Sequence, residues 1–508
     1  MAPAPATMPR SLVCVACGGY PKPMNHHPLL VDKNPSPGAV KAALDLALNP
    51  QSASTLRKVV LEADEMGLRA YLVGGIPRDL LLGRSLADGL NDLDVVVEGD
   101  APALARRLAA CHGGQVVVHE RFGTATWHGL DADVDLVTAR REHYREPAAL
   151  PTIEAADLDA DLRRRDFSVN AIAISLNDGS SELILDPCAG RDDLRIGRIR
   201  ALHQDSFVDD PTRSLRAARF SARLGFEIDV QTGAWIHAAR SYLDQTTGAR
   251  LAAEFSKTMV EPSPSRAITI MNHLGLLDAV SRGLTDLDLT DKVLEAVDRD
   301  VAAWPQENAA RSRILPLQSK EEWRLLFWLA GHGDAGLIHA ERLDLPHRQR
   351  AWIQHANASL LSLEQLGQVR SENVIDKEPP PWSPDETPAK DKPSDSDIEG
   401  RLEDISPAAL LLAMTVAPMT LREWIRRFVY DIQPLPALLD GEDLRALGIP
   451  GGPGIGALLK KIRARQLDEG LATREAALAY TLEILADENG DEGDGGVAGA
   501  SRTGNRPS

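Results

Sequence analysis

Residues 71–79 read YLVGGIPRD, and this stretch decides the fold of the first half of the chain. Its first three residues are apolar and typical of a strand, which Gly74 and Gly75 then interrupt. Pro77 falls near the first turn of a helix, where its missing N–H is tolerated. Glycines let backbone amides approach an anion closely, and a helix N-terminus adds a favourable dipole. The stretch therefore predicts a strand, a turn and a helix around an anion site, with the Arg78 guanidinium as a fork for phosphate oxygens.

The next predicted strand carries two acids, within residues 91–100, NDLDVVVEGD. Residues two apart in a strand point to the same face, so the carboxylates of Asp92 and Asp94 project together. This arrangement suits divalent cations, which prefer carboxylate oxygens. The sequence therefore predicts that both acids hold metal.

A third acid comes from residues 131–140, DADVDLVTAR, where Asp133 and Asp135 share a strand face. Asp135 is the better candidate, because an acid in a buried strand is unfavourable unless it is paired or binds a metal. The alternative is an exposed edge strand, where charged residues are common. The sequence alone leaves both interpretations open.

Negative charge is concentrated in two segments of the chain, which has 508 residues and a formal net charge of −18. Residues 371–400 contain nine acids against three lysines, and residues 485–508 contain five acids against two arginines. Half of the net charge therefore lies in segments with too little apolar content to fold. The remainder of the chain has room for a basic face, which a partner rich in phosphate requires.

Hydrophobic patterning divides the chain into an α/β part and a helical part. Short β-type runs alternate with helices in the first part, and after Pro211 apolar residues recur at helical spacing. We therefore predict an α+β protein. The predicted segments are a disordered leader at 1–40, a mixed α/β domain at 41–200, helical segments at 201–285, 286–370 and 403–485, an acidic Pro-rich disordered insertion at 371–402, and a disordered acidic tail at 486–508.

Membrane and compartment signals are few. The chain has no run of about 18 uncharged apolar residues, so we expect no membrane span. Its four cysteines are too few for a disulfide framework, which favours a reducing compartment, and we predict the cytoplasm. Residues 1–31 contain no Asp or Glu, which is compatible with an organelle transit peptide. A mitochondrial or chloroplast location and a plain disordered leader are the alternatives.

Residues 161–174, DLRRRDFSVNAIAI, contain a cluster of charged residues followed by an apolar segment. One interpretation is a solvated turn before a core helix. The functional interpretation assigns Arg165 to a nucleotide phosphate, and assigns Asp166 and Asn170 to the local backbone or to the sugar.

Residues 208–220, VDDPTRSLRAARF, place two acids ahead of a row of arginines. Asp210 followed by Pro211 predicts a helix N-cap and first helical residue. At about 100° per residue, the arginines fall within roughly a third of the helix circumference. They are Arg213, Arg216, Arg219 and Arg223. Such a stripe is most often a solvated face or a patch for RNA backbone.

A more specific interpretation assigns base reading to the residues at the start of this stripe. Asp210 ahead of Arg213 offers one acceptor beside a fork of donors. Cytosine and adenine present an amino donor next to a ring-nitrogen acceptor, whereas uracil and guanine present the reverse order. By the logic of base-edge readout, this pair accepts C and A and rejects U and G without a template.

The four quoted motifs resemble those of the class II tRNA nucleotidyltransferases (CCA-adding enzymes) and the related bacterial-type poly(A) polymerases. The resemblance is strong over residues 70–280. It is weaker at residues 438–462, LLDGEDLRALGIPGGPGIGALLKKI, which are similar to the C-terminal helical segment of that family. The resemblance implies a polymerase-beta-like nucleotidyltransferase head domain, with a mixed sheet and helices, followed by an all-helical neck, body and tail.

The resemblance also assigns roles to residues. It implies nucleotide contacts at Gly75, Arg78 and Arg165, magnesium ligands at Asp92 and Asp94, a base-reading pair at Asp210 and Arg213, and further nucleotide contacts at Arg216 and Arg219. To these we add Gly74, Asp79, Asp166 and Asn170 as nucleotide-binding candidates, and Asp135 as a third catalytic acid.

The activity that follows is template-independent nucleotidyl transfer. The 3′-hydroxyl of tRNA would attack the α-phosphate of CTP or ATP with the help of two Mg²⁺ ions, and pyrophosphate would leave. The helical half would bind the tRNA acceptor end by shape and backbone contacts. The alternatives are a poly(A) polymerase, a CC-only or A-only adding enzyme, and a noncatalytic RNA-binding protein. No histidine precedes an aspartate, so we expect no phosphohydrolase activity of the His-Asp type.

Overall fold

The structure is a computed structural model that describes residues 35–84, 93–177, 183–281, 283, 286–303, 319–367, 393–405, 407–417 and 419–490. The chain divides into two compact units, the first from residues 1–294 and 318–350, and the second from residues 295–317 and 351–508. Most of the predicted leader, most of the predicted insertion and the end of the predicted acidic tail lie outside the described residues.

The strands all belong to the first unit. They are β1 (Arg69–Val73), β2 (Leu93–Glu98), β3 (Gln115–His119), β4 (Thr124–His128), β5 (Asp133–Thr138), β6 (Arg140–His143), β7 (Thr152–Ala155), β8 (Ala173–Ser175), β9 (Ile184–Leu185), β10 (Arg198–Ile199) and β11 (Glu227–Ile228).

Helices surround and follow these strands. Those that begin in the first unit are α1 (Pro37–Ala47), α2 (Pro50–Glu65), α3 (Gly75–Leu81), α4 (Ala101–His112), α5 (Leu158–Arg163), α6 (Gly190–Ile196), α7 (Ser206–Asp209), α8 (Thr212–Leu224), α9 (Val230–Ala239), α10 (Gly248–Val260), α11 (Pro264–His273), α12 (Leu276–Val280), α13 (Leu287–Ala303), α14 (Lys320–Gly331), α15 (Gly333–Arg342) and α16 (His347–Gly367).

One seven-stranded sheet organises the first half of this unit, in the order β3-β4-β5-β2-β1-β8-β9. Strand β5 runs parallel to β2, whereas the other neighbours are antiparallel. The apolar run of β2 is buried, and Trp127 of β4 is fully buried in the core. The sheet is therefore mixed, and the predicted α+β class is confirmed.

The part after the sheet is mostly helical, as predicted. Phe255 of α10 stacks on Trp328 of α14 with ring centroids 5.7 Å apart, and the Trp328 Nε1 donates to Thr290 Oγ1 at 2.9 Å. One prediction needs correction, because the all-helical neck contains a short strand. Glu227–Ile228 pairs in parallel with Arg198–Ile199, after Gly225 ends α8 with a φ of 74°. No helix among the described residues is long and apolar enough to cross a membrane.

The second unit is helical throughout its described residues, apart from the connecting turns. Its helices are α17 (Asp395–Leu402), α18 (Pro407–Val416), α19 (Met419–Arg427), α20 (Gly441–Ala446), α21 (Pro453–Asp468) and α22 (Arg474–Gly490). Buried Leu444 and Ile462 belong to the core between α20, α21 and α22.

Three predicted boundaries are corrected by helix caps and lengths. The disordered insertion at 371–402 extends too far, because Ser394 and Asp397 form a capping box at the start of α17 and Ile398 is buried. The leader at 1–40 also extends too far, since the Ser36 side chain caps α1. Finally, α22 continues to Gly490, beyond the predicted end of the helical segment at 485.

Candidate active site

The turn after β1 brings the backbone close to an acid of β2. Gly74 has a φ of 77° and a ψ of −125°, which only glycine adopts without strain. A Cβ at Gly74 would lie 2.9 Å from Asp94 Oδ2, so the missing side chain makes room for that carboxylate. Gly75, by contrast, begins α3, and a Cβ there would meet Arg78 Nη2 at an ordinary 3.5 Å. The predicted strand, turn and helix are present, and the need for glycine lies at Gly74.

Two acids lie side by side on the sheet. The parallel register of β2 and β5 pairs Asp94 with Asp135, and paired residues of parallel strands point to the same face. Asp135 is exposed, and its Oδ1 accepts a hydrogen bond from Thr126 Oγ1 at 2.5 Å. Strand β5 lies between β4 and β2, so the edge-strand interpretation of Asp135 is wrong, and so is its expected burial. The exposed acid faces the same side of the sheet as Asp94.

The donor set on this face fits a hard cation. Carboxylate oxygens are the ligands that Mg²⁺ prefers, and Asp94 and Asp135 supply them from adjacent strands. Asp92 lies outside the described residues. Within the described part of the chain, no three His, Cys, Asp or Glu side chains form a group that could hold a metal.

Arg78, Asp79 and Asn170 come together as the sequence suggested, but they bind one another. The buried Arg78 donates from Nε and Nη2 to the two oxygens of Asp79, at 3.0 and 2.7 Å. Its Nη1 donates to Asn170 Oδ1 at 2.8 Å. These bonds fix the plane of the guanidinium and connect α3 to the segment that follows α5.

Asp166 connects this segment to α8. Its Oδ1 accepts hydrogen bonds from the Phe167 amide and Asn170 Nδ2, and its Oδ2 accepts from Arg216 Nε and Nη2 at 2.9 and 2.6 Å. Burial alone would raise the pKa of Asp166, but Arg216 and the hydrogen bond from Asn170 together lower it to about 2. The pKa of Arg216 is raised in turn, since Asp166 and Glu254 outweigh its burial. Asp166 is therefore a carboxylate at neutral pH.

Two arginines of the α8 stripe, Arg216 and Arg219, pair with acids, whereas Arg223 is exposed. Arg219 donates from Nη1 to Glu261 and from Nη2 to Glu254, both at 3.2 Å. Arg213 and Arg219 are both buried, so the interpretation of the stripe as a solvated face is wrong at these two positions. The sequence analysis missed Glu254 and Glu261, which follow Arg219 by 35 and 42 residues.

Arg165 also has an acid partner. Its Nε and Nη2 donate to Asp161 Oδ2 at 3.3 and 2.9 Å, and Arg164 holds the other oxygen of the same carboxylate. Burial would raise the pKa of Asp161, but the two arginines lower it. The spacing of four residues between Asp161 and Arg165 could have indicated this pair.

The proposed base-reading residues occupy one helix entrance. Asp210 is extended, with φ −134° and ψ 94°, and α8 begins at Thr212 with Pro211 as its N-cap, one residue later than the predicted N-cap at Asp210. Asp210 Oδ1 accepts from the Thr212 amide at 3.0 Å and from Arg250 Nη2 at 2.7 Å. The bond from the Thr212 amide and the Arg250 pair thus hold Asp210 in place.

Arg213 is held by other groups than Asp210. Its Nη1 donates to Ser206 Oγ at 2.8 Å, and its Nη2 donates to the Arg164 carbonyl at 2.9 Å. Asp210 and Arg213 are therefore close in the chain, but each is bonded elsewhere in this structure. Arg250 and Ser206 are further residues of this site, and no local sequence pattern indicates them.

Comparisons with known proteins agree with this architecture. Residues 70–200 match the model of the poly A polymerase head domain. Residues 225–287 match a second model, described as the probable RNA and SrmB-binding site of polymerase A.

Three known proteins illustrate the similarity. The chain is 33% identical to the A-adding tRNA nucleotidyltransferase of Geobacter sulfurreducens, over 85% of this chain and 47% of that protein. It is 25% identical to the CCA-adding enzyme of Lactobacillus johnsonii, over 86% of this chain and 98% of that protein. The solved structure of the Thermotoga maritima CCA-adding enzyme complexed with tRNA superposes with a TM-score of 0.65 and 27% identity, over 88% of this chain and 98% of that chain.

The chain spans about half the length of the curated A-adding relative, and nearly all of the CCA-adding enzyme. Both family models fall within the first unit, and the head-domain match begins at the strand that precedes the Gly74 turn. Residues 70–200 therefore match the poly A polymerase head domain, and the chain is similar in sequence and fold to tRNA nucleotidyltransferases that add A or CCA.

Proposed function

We propose that the protein is a template-independent tRNA nucleotidyltransferase that adds C and A from CTP and ATP to the tRNA 3′ end and releases pyrophosphate. The observation that carries this proposal is the parallel register that sets Asp94 beside Asp135, with Gly74 leaving room for the Asp94 carboxylate. A noncatalytic RNA-binding protein would have no need for this arrangement. The names of the relatives support the same substrate class.

Asp92 and Asp94 would hold Mg²⁺, with Asp135 as a third acid on the same sheet face. The bound ions would lower the pKa of the attacking 3′-hydroxyl and stabilise the charge on the attacking and leaving oxygens. The contribution of the chain is to keep these carboxylates in one place. Thr126 orients Asp135 through its hydroxyl, and the Gly74 turn bounds the space around Asp94.

The triphosphate would be bound by arginines that the structure already holds in fixed planes. Arg78 and Arg216 are each oriented by two bonds to one carboxylate group, from Asp79 and Asp166 respectively. Preset guanidinium planes lose little side-chain entropy when they bind phosphate oxygens. Arg165 would add a further phosphate contact from the next segment.

Base selection would use Asp210 and Arg213 on the pairing edge of C or A. Arg213 would exchange its bond to the Arg164 carbonyl for the ring-nitrogen acceptor of the base. Asp210 would accept from the exocyclic amine, while Arg250 Nη1 keeps its hydrogen bond to the Ala148 carbonyl, at 2.8 Å. The pair distinguishes C and A from U and G, but it does not distinguish C from A.

A-only addition is the second candidate, because the 33% identical relative is named an A-adding enzyme. CC-only addition and poly(A) synthesis use the same edge pattern and are tested together with it. The four cysteines also favour a reducing compartment, for which we propose the cytoplasm, with mitochondrion and chloroplast as the alternatives.

One experiment separates these activities. The purified full chain is incubated with tRNA transcripts ending before CCA, after C and after CC, and CTP and ATP are supplied singly and together. Addition that stops after CCA supports the proposal. Extension of only the CC-ended transcript by one A supports A-only addition, and long adenylate products support a poly(A) polymerase.

Asp94→Ala and Asp131→Asn form a matched pair for the metal assignment. Asp131 lies in the turn before β5, where it pairs with Lys58 and Ser54 on the surface. We expect Asp94→Ala to abolish transfer and Asp131→Asn to leave it unchanged. Full activity of Asp94→Ala would refute the proposed role of this acid.

A further inference from the structure

Three arginines surround the ring of Phe220, which lies on α8. The Cζ atoms of Arg78 and Arg216 are each 5.5 Å from the ring centroid, and that of Arg219 is 4.8 Å away. All three distances are within the range of cation–π attraction, which is stronger where water is excluded. Phe220 is itself buried, so these contacts are largely desolvated.

The arginines come from two different parts of the chain. Arg78 belongs to α3, next to the Gly74 turn, whereas Arg216 and Arg219 belong to α8. Phe167, from the segment after α5, meets the Phe220 ring edge to face, with centroids 6.0 Å apart and an angle of 78°. The Phe220 ring therefore contacts Arg78 of α3, two arginines of its own helix α8, and Phe167 of the segment after α5.

The three guanidinium groups carry like charges and repel one another. Pairing with acids only partly explains why all three lie around one ring. Each guanidinium pairs with at least one carboxylate, and Arg216 and Arg219 share Glu254. The pairs are Arg78 with Asp79, Arg216 with Asp166, and Arg219 with both Glu254 and Glu261. The aromatic ring, whose faces carry partial negative charge, attracts all three guanidinium groups without forming a hydrogen bond.

We propose that Phe220 is a positioning residue for nucleotide binding, because its ring sets the spacing between Arg78 of α3 and Arg216 of α8. The inference rests on the proposed function in that it takes these two arginines as triphosphate contacts. A ring keeps the N–H groups of an arginine available to phosphate, whereas a further carboxylate would occupy them. An aliphatic residue would fill the same space without attracting the cations.

The test is to replace Phe220 with 4-fluoro-, 3,5-difluoro- and 3,4,5-trifluorophenylalanine at this position alone. Fluorine withdraws electron density from the ring face while barely changing its volume. We expect the Kd for ATP, measured by calorimetry with Mg²⁺, to rise in steps with fluorine number, to about tenfold for the trifluoro ring. We expect KM for the nucleotide to rise in parallel while kcat changes less than about twofold.

The same series at Phe226, whose ring packs beside Gly197, is the control. It should change neither Kd nor KM. Phe220→Leu and Phe220→Tyr form a second pair, in which we expect the tyrosine to retain binding and the leucine to lose it. Equal Kd values across the fluorinated series at Phe220, or a leucine variant that binds ATP like the wild type, would overturn the inference.

The proposed function fails separately. In one outcome, the wild-type protein binds ATP and Kd rises across the fluorinated series, but the wild type transfers no nucleotide to tRNA. That result would confirm Phe220 as a positioning residue and refute tRNA nucleotidyl transfer. If transfer occurs without any fluorine dependence of Kd or KM, the opposite holds. A wild-type protein that binds neither CTP nor ATP would refute both.

Discussion

Replacing Asp166 with asparagine tests the ion pair that links the sheet part of the first unit to α8. The variant keeps the size of the side chain and one oxygen for the Phe167 amide and Asn170. It places an amide NH₂ in front of Arg216, where the wild-type Oδ2 accepts two hydrogen bonds. Donors then face donors, and Glu254, at 3.6 Å, is the acid that still pairs with Arg216 among the described residues.

The magnitude follows from two considerations. The pKa of Asp166 falls from 3.8 to about 2, and each unit is worth about 1.4 kcal/mol, so the native environment favours the charged carboxylate by about 2 kcal/mol. Removing one partner of a buried ion pair typically costs about 3–5 kcal/mol, because the other charge is left behind. Arg216 is half-buried and retains Glu254, so we expect Asp166→Asn to destabilise the first unit by about 2–3 kcal/mol.

The effect depends on pH with a defined sign. The pKa of Asp166 is lower in the folded state than in the unfolded state, so its stabilisation is complete above about pH 4 and is lost as the pH falls through about 2. At pH 3 about half of the 2 kcal/mol remains. The difference in stability between the wild type and Asp166→Asn should therefore shrink in acid.

Native-state hydrogen exchange of peptides within 212–224 measures the stability of the unit that contains α8, independently of the second unit. The control is Asp159→Asn, which breaks an exposed i,i+4 pair with Arg163 and should cost less than about 0.5 kcal/mol. A cost for Asp166→Asn below about 1 kcal/mol, or one that is the same at pH 7 and pH 3, would refute the reasoning.

Three further predictions concern other parts of the protein. Gly74→Ala forces a side chain to 2.9 Å from Asp94 Oδ2, and we expect kcat in the transfer assay to fall at least tenfold; an unchanged kcat would contradict this. Arg250→Met removes the cation bound to Asp210, and we expect UTP and GTP incorporation to rise relative to CTP and ATP, in single-nucleotide assays. Arg463→Met removes hydrogen bonds from α21 to α17 and to two backbone carbonyls. We expect the free energy of unfolding of the second unit, measured by thermal unfolding, to fall by about 2–3 kcal/mol, and a fall below about 0.5 kcal/mol would argue for a surface role.

Local signals predicted the sheet and the helix entrances. The strand before Gly74, the break at that glycine and the helix after it follow from residues within one short window, and the start of α8 was predicted to within one residue. The strand pairing was not predictable in the same way. That Asp94 lies beside Asp135 depends on β5 being the parallel neighbour of β2, which no local pattern specifies.

The long-range partners of the arginines could not be predicted from the sequence either. Arg219 pairs with Glu254 and Glu261, 35 and 42 residues away, and many other acids occur at comparable separations. The helix at Asp395–Leu402 is a different case. Ser394 and Asp397 of its capping box are only three residues apart, but the density of Pro, Asp and Lys around them is typical of disorder.

On the proposed function, the arginine stripe would allow a chain with an acidic balance to bind an anionic substrate. The arginines of α8 are not a free basic surface, because Arg216 and Arg219 are neutralised by carboxylates within the same unit. A triphosphate that enters must compete with those carboxylates, which weakens its binding but also orients each guanidinium beforehand. Nonspecific polyanions meet the same competition without matching the preset planes. Selectivity for a nucleotide over other phosphates would then arise from the acids around the arginines as much as from the arginines themselves.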